Sequence, residues 1–385
     1  MRVAYITSTD PTNKAAWSGT HYYMLQALQR HVGEVNALGP FHAGNVLEIS
    51  GKVLDRLCRL QGRRYDRDHS LLRSRACAKF FGEKLHQGRY DVIVAPAAST
   101  EVAFLNVKDK PLIYLSDATF HLLSGYYPNF QRFGRLSRWE GNQIERRAIE
   151  KSTLTIMSSE WAAESAIRDY GADSAKVRVI PFGANIDTPP TREQALQRLT
   201  TRDPVCRLLF LARDWHRKGG DIVLESFSAL RAQNIPVNLV ICGCEPPDRV
   251  FDQGIEVIPY LDKNRPEGYA RFLDLLLNSH FMLLPTRADC TPIVLAEAAA
   301  YGMPMITTDT GGIRSMVEHG KTGYVLPITA RGSEYASLIR EAFTSPMVYE
   351  RLVVGARDRF EQQLNWDAWG QRFKRCLAEV NVNIN

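Results

Sequence analysis

No stretch of this sequence reaches the roughly 18 uninterrupted apolar residues that a membrane-spanning helix requires, which excludes an integral membrane protein. A basic leader with an apolar core and a small-residue cleavage site is also missing. The N-terminus passes straight into an apolar segment, Val3 to Thr7, and the expectation is a cytoplasmic chain. Cysteine is sparse and unpatterned: seven residues (Cys58, Cys77, Cys206, Cys242, Cys244, Cys290 and Cys376) at no repeated spacing give no disulfide framework. Cys242 and Cys244 form a C-x-C, but no His or Cys pair lies at finger spacing, so no metal is expected. Gly320-Lys321-Thr322 lacks the first glycine of a P-loop, because position 315 is serine. There is no G-x-G-x-x-G after the first strand, no G-x-S-x-G elbow and no H-E-x-x-H. These absences count against dinucleotide oxidoreductases, serine hydrolases and metalloproteases.

What is present describes an ordinary globular protein: 385 residues, 45% hydrophobic and 23% charged, enough for roughly two or three domains. Charge is unevenly placed. Residues 1–190 hold 25 Lys+Arg against 19 Asp+Glu, whereas residues 191–385 balance at 23 each, so the whole basic excess is N-terminal. Within it, Lys52 to Arg89 carries eleven basic and four acidic residues interleaved with Leu54, Leu57, Leu60, Leu71, Leu72, Phe80 and Phe81. Such a stretch suits an anionic partner, a lipid surface or a diphosphate-bearing acceptor, and equally suits two helices with solvated faces. Nucleic acid has only this stretch in its favour and is not expected as a partner.

Short runs of Val, Ile and Leu alternate with longer amphipathic stretches, as in strands buried on both faces between covering helices. The runs lie near Val3–Thr7, Glu34–Ala37, Val92–Ala95, Leu112–Leu115, Leu154–Met157 and Val177–Pro181. A second set lies near Leu208–Leu211, Asn238–Cys242, Glu256–Pro259, Phe281–Pro285, Pro304–Thr307 and Tyr324–Leu326. The fold class is α/β, with two Rossmann-like, doubly wound parallel-sheet domains facing a cleft. The Pro-rich polar stretch from Asn185 to Arg192 reads as a linker, giving domains 1–188 and 189–365, with 366–385 packing back on the first.

In such folds ligands bind beyond the carboxyl ends of the strands, so four loops matter. In the first, Thr291 suits an N-cap, Pro292 the first helical position and Gly302 the stop of an apolar helix that contains one carboxylate, Glu297. Ribose hydroxyls or a structural ion pair would each satisfy that carboxylate. Asp289 lies at the mouth, and the amides near Thr291, Ile293 and Val294 form a ready phosphate site. The second loop, Arg213 to Gly220, offers Arg213 and Lys218 for gripping a diphosphate, or is a solvated charged turn. The third places Gly19 after the first strand, where backbone can approach a ligand or simply turn. The fourth places Asp117 and His121 past the strand at Leu112–Leu115, where either can handle a proton, with His121 expected as a packed or hydrogen-bonded helix residue.

Together these residues resemble the retaining glycosyltransferases of the GT-B fold, of the family 4 (group 1) type, which transfer sugars from nucleotide diphosphates without a metal. The likeness is strongest from Arg207 to Pro327, through Leu208-Leu-Phe-Leu-Ala-Arg213 with Lys218-Gly219, Leu239-Val-Ile-Cys-Gly243, Phe281-Met-Leu-Leu-Pro285 through Gly302-Met-Pro304, Gly311-Gly312-Ile313 and Gly323. In the first half it runs through Gly19, Ser158-Ser-Glu-Trp161 and Val179-Ile-Pro-Phe-Gly183-Ala-Asn185. The resemblance implies that Arg213 and Lys218 hold the donor diphosphate, that Glu297 binds the ribose, that Asp289 contacts the transferred sugar and that Gly19 lies near the phosphates. Tyr260 and Leu261, after a strand, stand where the base would lie. The sequence departs from the family in four places: Asp117 where a histidine is frequent, Asp289 for glutamate, Pro292 for glycine, and Ser315 for the glutamate after the double glycine.

The expected function is therefore transfer of a sugar from a nucleotide-sugar donor, with no cofactor, to a sugar, lipid-linked or other hydroxyl acceptor. Glycan, glycolipid or polysaccharide synthesis is the setting, with peripheral contact at the inner face of a membrane through the basic N-terminal domain. A nucleotide-sugar epimerase on the same scaffold and a non-catalytic nucleotide-sugar-binding module are the alternatives.

Overall fold

In a computed structural model the chain is described over residues 1–107, 110–200, 203–247 and 253–380. It divides into two compact units, one comprising Met1–Pro181 with the chain from Trp369 on, the other Phe182–Ala368. Each is built on one six-stranded sheet whose strands are all parallel.

The first unit contains β1 (Arg2–Tyr5), α1 (Thr20–His31), β2 (Glu34–Ala37), α2 (Asn45–Arg59), α3 (Leu71–Gln87), β3 (Val92–Pro96), α4 (Ser99–Val102), β4 (Leu112–Ser116), α5 (Phe120–Leu123), α6 (Arg135–Lys151), β5 (Leu154–Met157), α7 (Glu160–Tyr170) and β6 (Val177–Val179). Strands β3, β4 and β5 are buried at every position, because helices cover both faces of the sheet. Side-chain caps fix the helix starts: Ser70 accepts from the Arg73 amide at α3 and Ser159 from the Ala162 amide at α7. Gly171 in the left-handed region ends α7.

The second unit contains α8 (Arg192–Leu196), β7 (Cys206–Leu211), α9 (Gly220–Ala232), β8 (Val237–Cys242), β9 (Ile255–Ile258), α10 (Pro266–Asn278), β10 (Phe281–Leu284), α11 (Ile293–Ala300), β11 (Met305–Thr308), α12 (Ile313–Met316), β12 (Gly323–Leu326), α13 (Gly332–Thr344), α14 (Pro346–Gln362) and the start of α15 (Trp366–Glu379). The twelve strands fall where the apolar runs predict them. The stretch read as a linker is exposed at Asp187, Thr188, Pro189, Thr191 and Arg192 and half-buried at Pro190, whereas its first two residues, Asn185 and Ile186, are buried together with Phe182 and Ala184 before them. The Asn185 carboxamide oxygen accepts from the Trp366 indole at 2.9 Å, so a polar side chain is buried with its partner satisfied.

Strand order decides where a site can form. In the first sheet the order is β2-β1-β3-β4-β5-β6, and the chain reverses direction across the sheet between β1 and β3. In the second it is β12-β11-β10-β7-β8-β9, with the reversal between β7 and β10. At such a reversal the helices on either side leave to opposite faces, and the loops beyond the strand ends open a crevice.

Candidate active site

The loops that follow β7 and β10 meet at the switch point of the second sheet. Gly219 adopts φ +78, and a Cβ added there would lie 2.0 Å from the Pro285 carbonyl oxygen. Only glycine allows this approach. Four polar ties then lock the loops together. Lys218 Nζ donates to Asp289 Oδ2, with both residues buried. Arg217 donates to the Ala288 carbonyl at 2.8 Å, and the Arg287 amide donates to the Arg217 carbonyl at 2.7 Å. Arg287 also grips Asp221 through two bonds of 2.8 and 2.7 Å, and that guanidinium holds the Asp221 carboxyl down at about 2.

Arg213 is exposed and makes no hydrogen bond or ion pair among the described residues. A fixed, buried cation and an uncommitted guanidinium thus stand on one loop, and an anion can engage the second without breaking the first. Helix α11 begins beside Asp289, with its first-turn amides at Ile293 and Val294 lacking carbonyls one turn back in the helix. The cap differs from the sequence expectation. Pro292, with extended backbone, is the N-cap, the helix starts at Ile293, and Thr291 lies outside it. Proline fixes φ but here ψ stays extended, which delays helix entry by one residue. The C-terminal stop is as expected. Gly302 at φ +62 donates to Ala299 at 2.9 Å while Met303 donates to Ala298 at 3.0 Å, a Schellman closure.

Glu297, 1% exposed, faces Lys263, whose Nζ donates to its Oε1 at 2.8 Å. Lys263 comes from the loop after β9, so that loop is drawn to α11. This cation was not singled out from sequence; a lone carboxylate in an apolar helix demands one, but nothing local says which. Tyr260 in the same loop is 67% exposed and Leu261 half-buried. Cys242 and Cys244 are thiols pushed up to about 11, chiefly by burial. Among the described residues no group of three or more His, Cys, Asp or Glu could hold a metal.

The switch point of the first sheet is tied in the same manner. Ser8, after β1, donates to Glu101 on α4, after β3. Burial raises the Glu101 carboxyl, and Ala97, the residue that follows β3, is held at φ +48. Gly19 (φ +87) caps α1, which starts at Thr20; Trp17 and Ser18 precede it with φ +46 and +57. Next to it, His21 is buried against the Tyr5 hydroxyl at 2.9 Å, and burial pushes its imidazole down to about 4, so it is neutral near pH 7.

Asp117 is half-buried past β4. Of the two alternatives expected for His121, packed or hydrogen-bonded, the helix residue is not packed: its ring is 58% exposed, with Nε2 4.0 Å from Asp169. Its hydrogen bond is made by the backbone instead, the amide donating to the Tyr170 hydroxyl at 2.8 Å. Behind these loops lies a buried polar group invisible to local pattern. Tyr114 donates to Glu145 at 2.8 Å, and burial pushes Glu145 up to about 7. His69 pairs with Asp66 at 2.8 Å; burial alone would lower the imidazole, but the carboxylate outweighs it and leaves it raised.

Comparisons agree with this architecture. Residues 192–359 match the family described as Glycosyl transferases group 1, and residues 20–188 match Glycosyltransferase Family 4. D-inositol 3-phosphate glycosyltransferase of Gordonia bronchialis is 28% identical over 240 residues, 58% of this chain and 51% of that protein. The same-named protein of Xylanimonas cellulosilytica is 26% identical over 286 residues, 67% of this chain and 64% of that one. The chain spans just over half the length of the curated relatives it matches. Among solved structures, sucrose-phosphate synthase from Thermosynechococcus elongatus has a TM-score of 0.68 at 16% identity, covering 98% of both chains. Anabaena HepE in complex with UDP-glucose has a TM-score of 0.64 at 14% identity, covering 98% of this chain and 100% of that one. At these identities the structural likeness speaks for the GT-B fold alone.

Proposed function

This chain belongs to the group 1 glycosyl transferases, with a Glycosyltransferase Family 4 domain preceding the group 1 domain, and from that premise we propose that it is a retaining glycosyltransferase. It moves a sugar from a nucleotide diphosphate to the hydroxyl of a sugar, lipid-linked or other acceptor in glycan, glycolipid or polysaccharide synthesis. The observation that carries the reading is the buried Lys218–Asp289 pair at the β7/β10 switch point, beside an Arg213 that no described residue engages.

The chemistry to be served is departure of a nucleoside diphosphate from an anomeric carbon through an oxocarbenium-like transition state. Negative charge grows on the leaving phosphate. Cations and amides fixed beforehand stabilise that charge without reorganising, the largest lever available to such an enzyme. Arg213 and Lys218 supply the cations, and the Ile293 and Val294 amides supply the dipoles, in place of a metal or other cofactor. Asp289 is oriented by Lys218 and meets hydroxyls of the transferred sugar. Glu297 accepts from the ribose, with Tyr260 and Leu261 near the base and Gly19 near the phosphates. Asp117 or His121 serves the acceptor side. Work at the inner face of a membrane, by peripheral contact of the basic first domain, fits a lipid-linked acceptor.

A nucleotide-sugar panel screened by thermal stabilisation finds the donor, since a ligand of the folded state raises the midpoint with its affinity. Turnover with and without an acceptor then separates the readings. A transferase needs the acceptor; an epimerase yields a new sugar nucleotide without one; a binding module does neither. An NMR assignment of the product anomer tests retention: an inverted product sinks that part of the reading.

A further inference from the structure

Helix α2 is anomalous among the long helices of the first unit. Of its 15 residues only Gly51 is buried. Isolated helices of that length are marginal in water, and most helices owe their stability to an apolar face turned inward. Here an apolar face is turned outward. Val46 (82% exposed), Ile49 (61%), Val53 (53%), Leu57 (55%) and, one residue past the helix, Leu60 (81%) recur at spacings of three and four, which places them in one ridge along the exposed side.

The border of that ridge is basic. Lys52, Arg56 and Arg59 each precede a ridge residue by one position, so they form a parallel exposed row about 100° around the helix. Of the two carboxylates of the helix, Glu48 is committed away from this row and Asp55 pairs with Arg59 at its end, so among the described residues Lys52 and Arg56 carry its unpaired charge. Glu48 lies 3.7 Å from both Arg67 and Arg73, and Asp55 pairs with Arg59 at 2.8 Å and accepts from the Tyr65 amide at 2.9 Å.

The surface continues onto α6. The chain leaving α2 is held to the residues before α6, Arg64 donating its amide to the Arg132 carbonyl at 2.9 Å and the Gly134 amide donating to the Arg64 carbonyl at 3.0 Å. The first turn and a half of α6 then exposes Leu136 (47%) and Trp139 (55%), with Arg135 and Arg138 also exposed. An exposed tryptophan with exposed arginines next to it on the same helix end is the composition found where protein meets lipid headgroups.

We propose that α2 and the start of α6 form a docking face for an anionic lipid bilayer, with the Val46–Leu60 ridge inserted at the level of the headgroups and acyl boundary and the basic row on the lipid phosphates. Charge complementarity identifies the occupant: an apolar strip alone would suit a second copy of this chain, but a second copy would bring the same basic row against itself. The sequence reading of 52–89 as one basic stretch is sharpened accordingly. Phe81 is core and α3 leaves only Leu72 as a large exposed apolar residue, so the lipid-facing part is α2. The inference rests on the peripheral-membrane part of the proposed function and is independent of the donor chemistry.

The test is flotation of the full chain with phosphatidylcholine vesicles that do or do not contain phosphatidylglycerol, alongside the donor panel. The expected result is binding to the anionic vesicles that weakens with salt. Val53→Ser with Leu57→Ser and Leu60→Ser should lower it at least tenfold, and Lys52→Gln with Arg56→Gln and Arg59→Gln about a hundredfold. All substituted residues are exposed, and an unchanged donor-induced thermal shift in both variants confirms folding. Wild-type indifference to anionic vesicles, or retention of binding by the serine variant, overturns the proposal. So does a stable dimer that the serine variant splits, since a second copy then covers the ridge. A chain that responds to a nucleotide sugar but ignores vesicles loses this inference alone, and one that floats with vesicles but answers to no nucleotide sugar loses the donor reading alone.

Discussion

Lys218 and Asp289, 71 residues apart in the chain, are joined by a buried ion pair across the switch point of the second sheet. Burying both charges is costly, and their mutual attraction offsets that cost only while both are present. The pair therefore does two things at once. It joins the loop after β7 to the loop after β10, and it keeps a buried cation fixed at the switch point.

Arg213→Ala and Lys218→Ala should each lower turnover by about a hundredfold or more, the loss expected for a transition-state donor. Their stabilities should part. Arg213 is exposed, so its loss leaves the unfolding midpoint unchanged. Lys218→Ala removes the buried ammonium from Asp289 and leaves Arg217, 4.0 Å away, as a more distant cation, and should cost about 3 kcal/mol in urea unfolding. Lys218→Met with Asp289→Leu should recover most of that stability and none of the turnover. Near wild-type transfer by both single variants would defeat the assignment.

Gly219→Ala places a methyl 2.0 Å from the Pro285 carbonyl oxygen at a φ of +78. Combined steric and left-handed costs should reach about 3 kcal/mol or more. Urea denaturation measures it. A loss under about 1 kcal/mol would mean that the two loops are not held in contact as described.

Lys263→Ala removes the partner of a Glu297 that is 1% exposed, and the ligand-free protein should lose about 2 kcal/mol or more. If ribose hydroxyls take that carboxylate in the donor complex, donor restores what the substitution removed. The donor-induced rise in melting temperature should then be larger for the variant than for wild type. An equal or smaller rise counts against Glu297 as the ribose partner.

Burial pushes the Glu145 carboxyl up to about 7 from an ordinary 4.5. Between those values the folded chain keeps a proton that the unfolded chain has released. Stability from this group is thus full below about pH 4.5, falls as pH rises through the window, and is flat above about 7, a total of about 3 kcal/mol. Other groups titrate in the same range, His21 with the opposite slope between about 4 and 6.5. The measurement is therefore the wild-type profile minus that of Glu145→Gln. A flat difference between pH 4.5 and 7 would show that Glu145 is not held protonated.

The twelve strands, their alternation with helices and the motif loops are legible along the chain, because burial on both faces writes a continuous apolar run and capping writes a short local signal. Val3–Tyr5, Phe281–Leu284 and the Gly302 stop are legible for that reason. Strand order is not local. Only the tertiary structure set β7 beside β10 and β1 beside β3, and so made partners of Lys218 and Asp289, of Lys263 and Glu297, and of Ser8 and Glu101. It also turned the apolar side of α2 outward, which periodicity cannot foresee, since an amphipathic pattern says that one face differs from the other and leaves open which of them meets solvent. Local backbone and hydration preferences act over a few residues and are printed in the chain; the pairing of distant loops depends on which sheet neighbour gains the better packing, and that is decided only when the whole unit condenses.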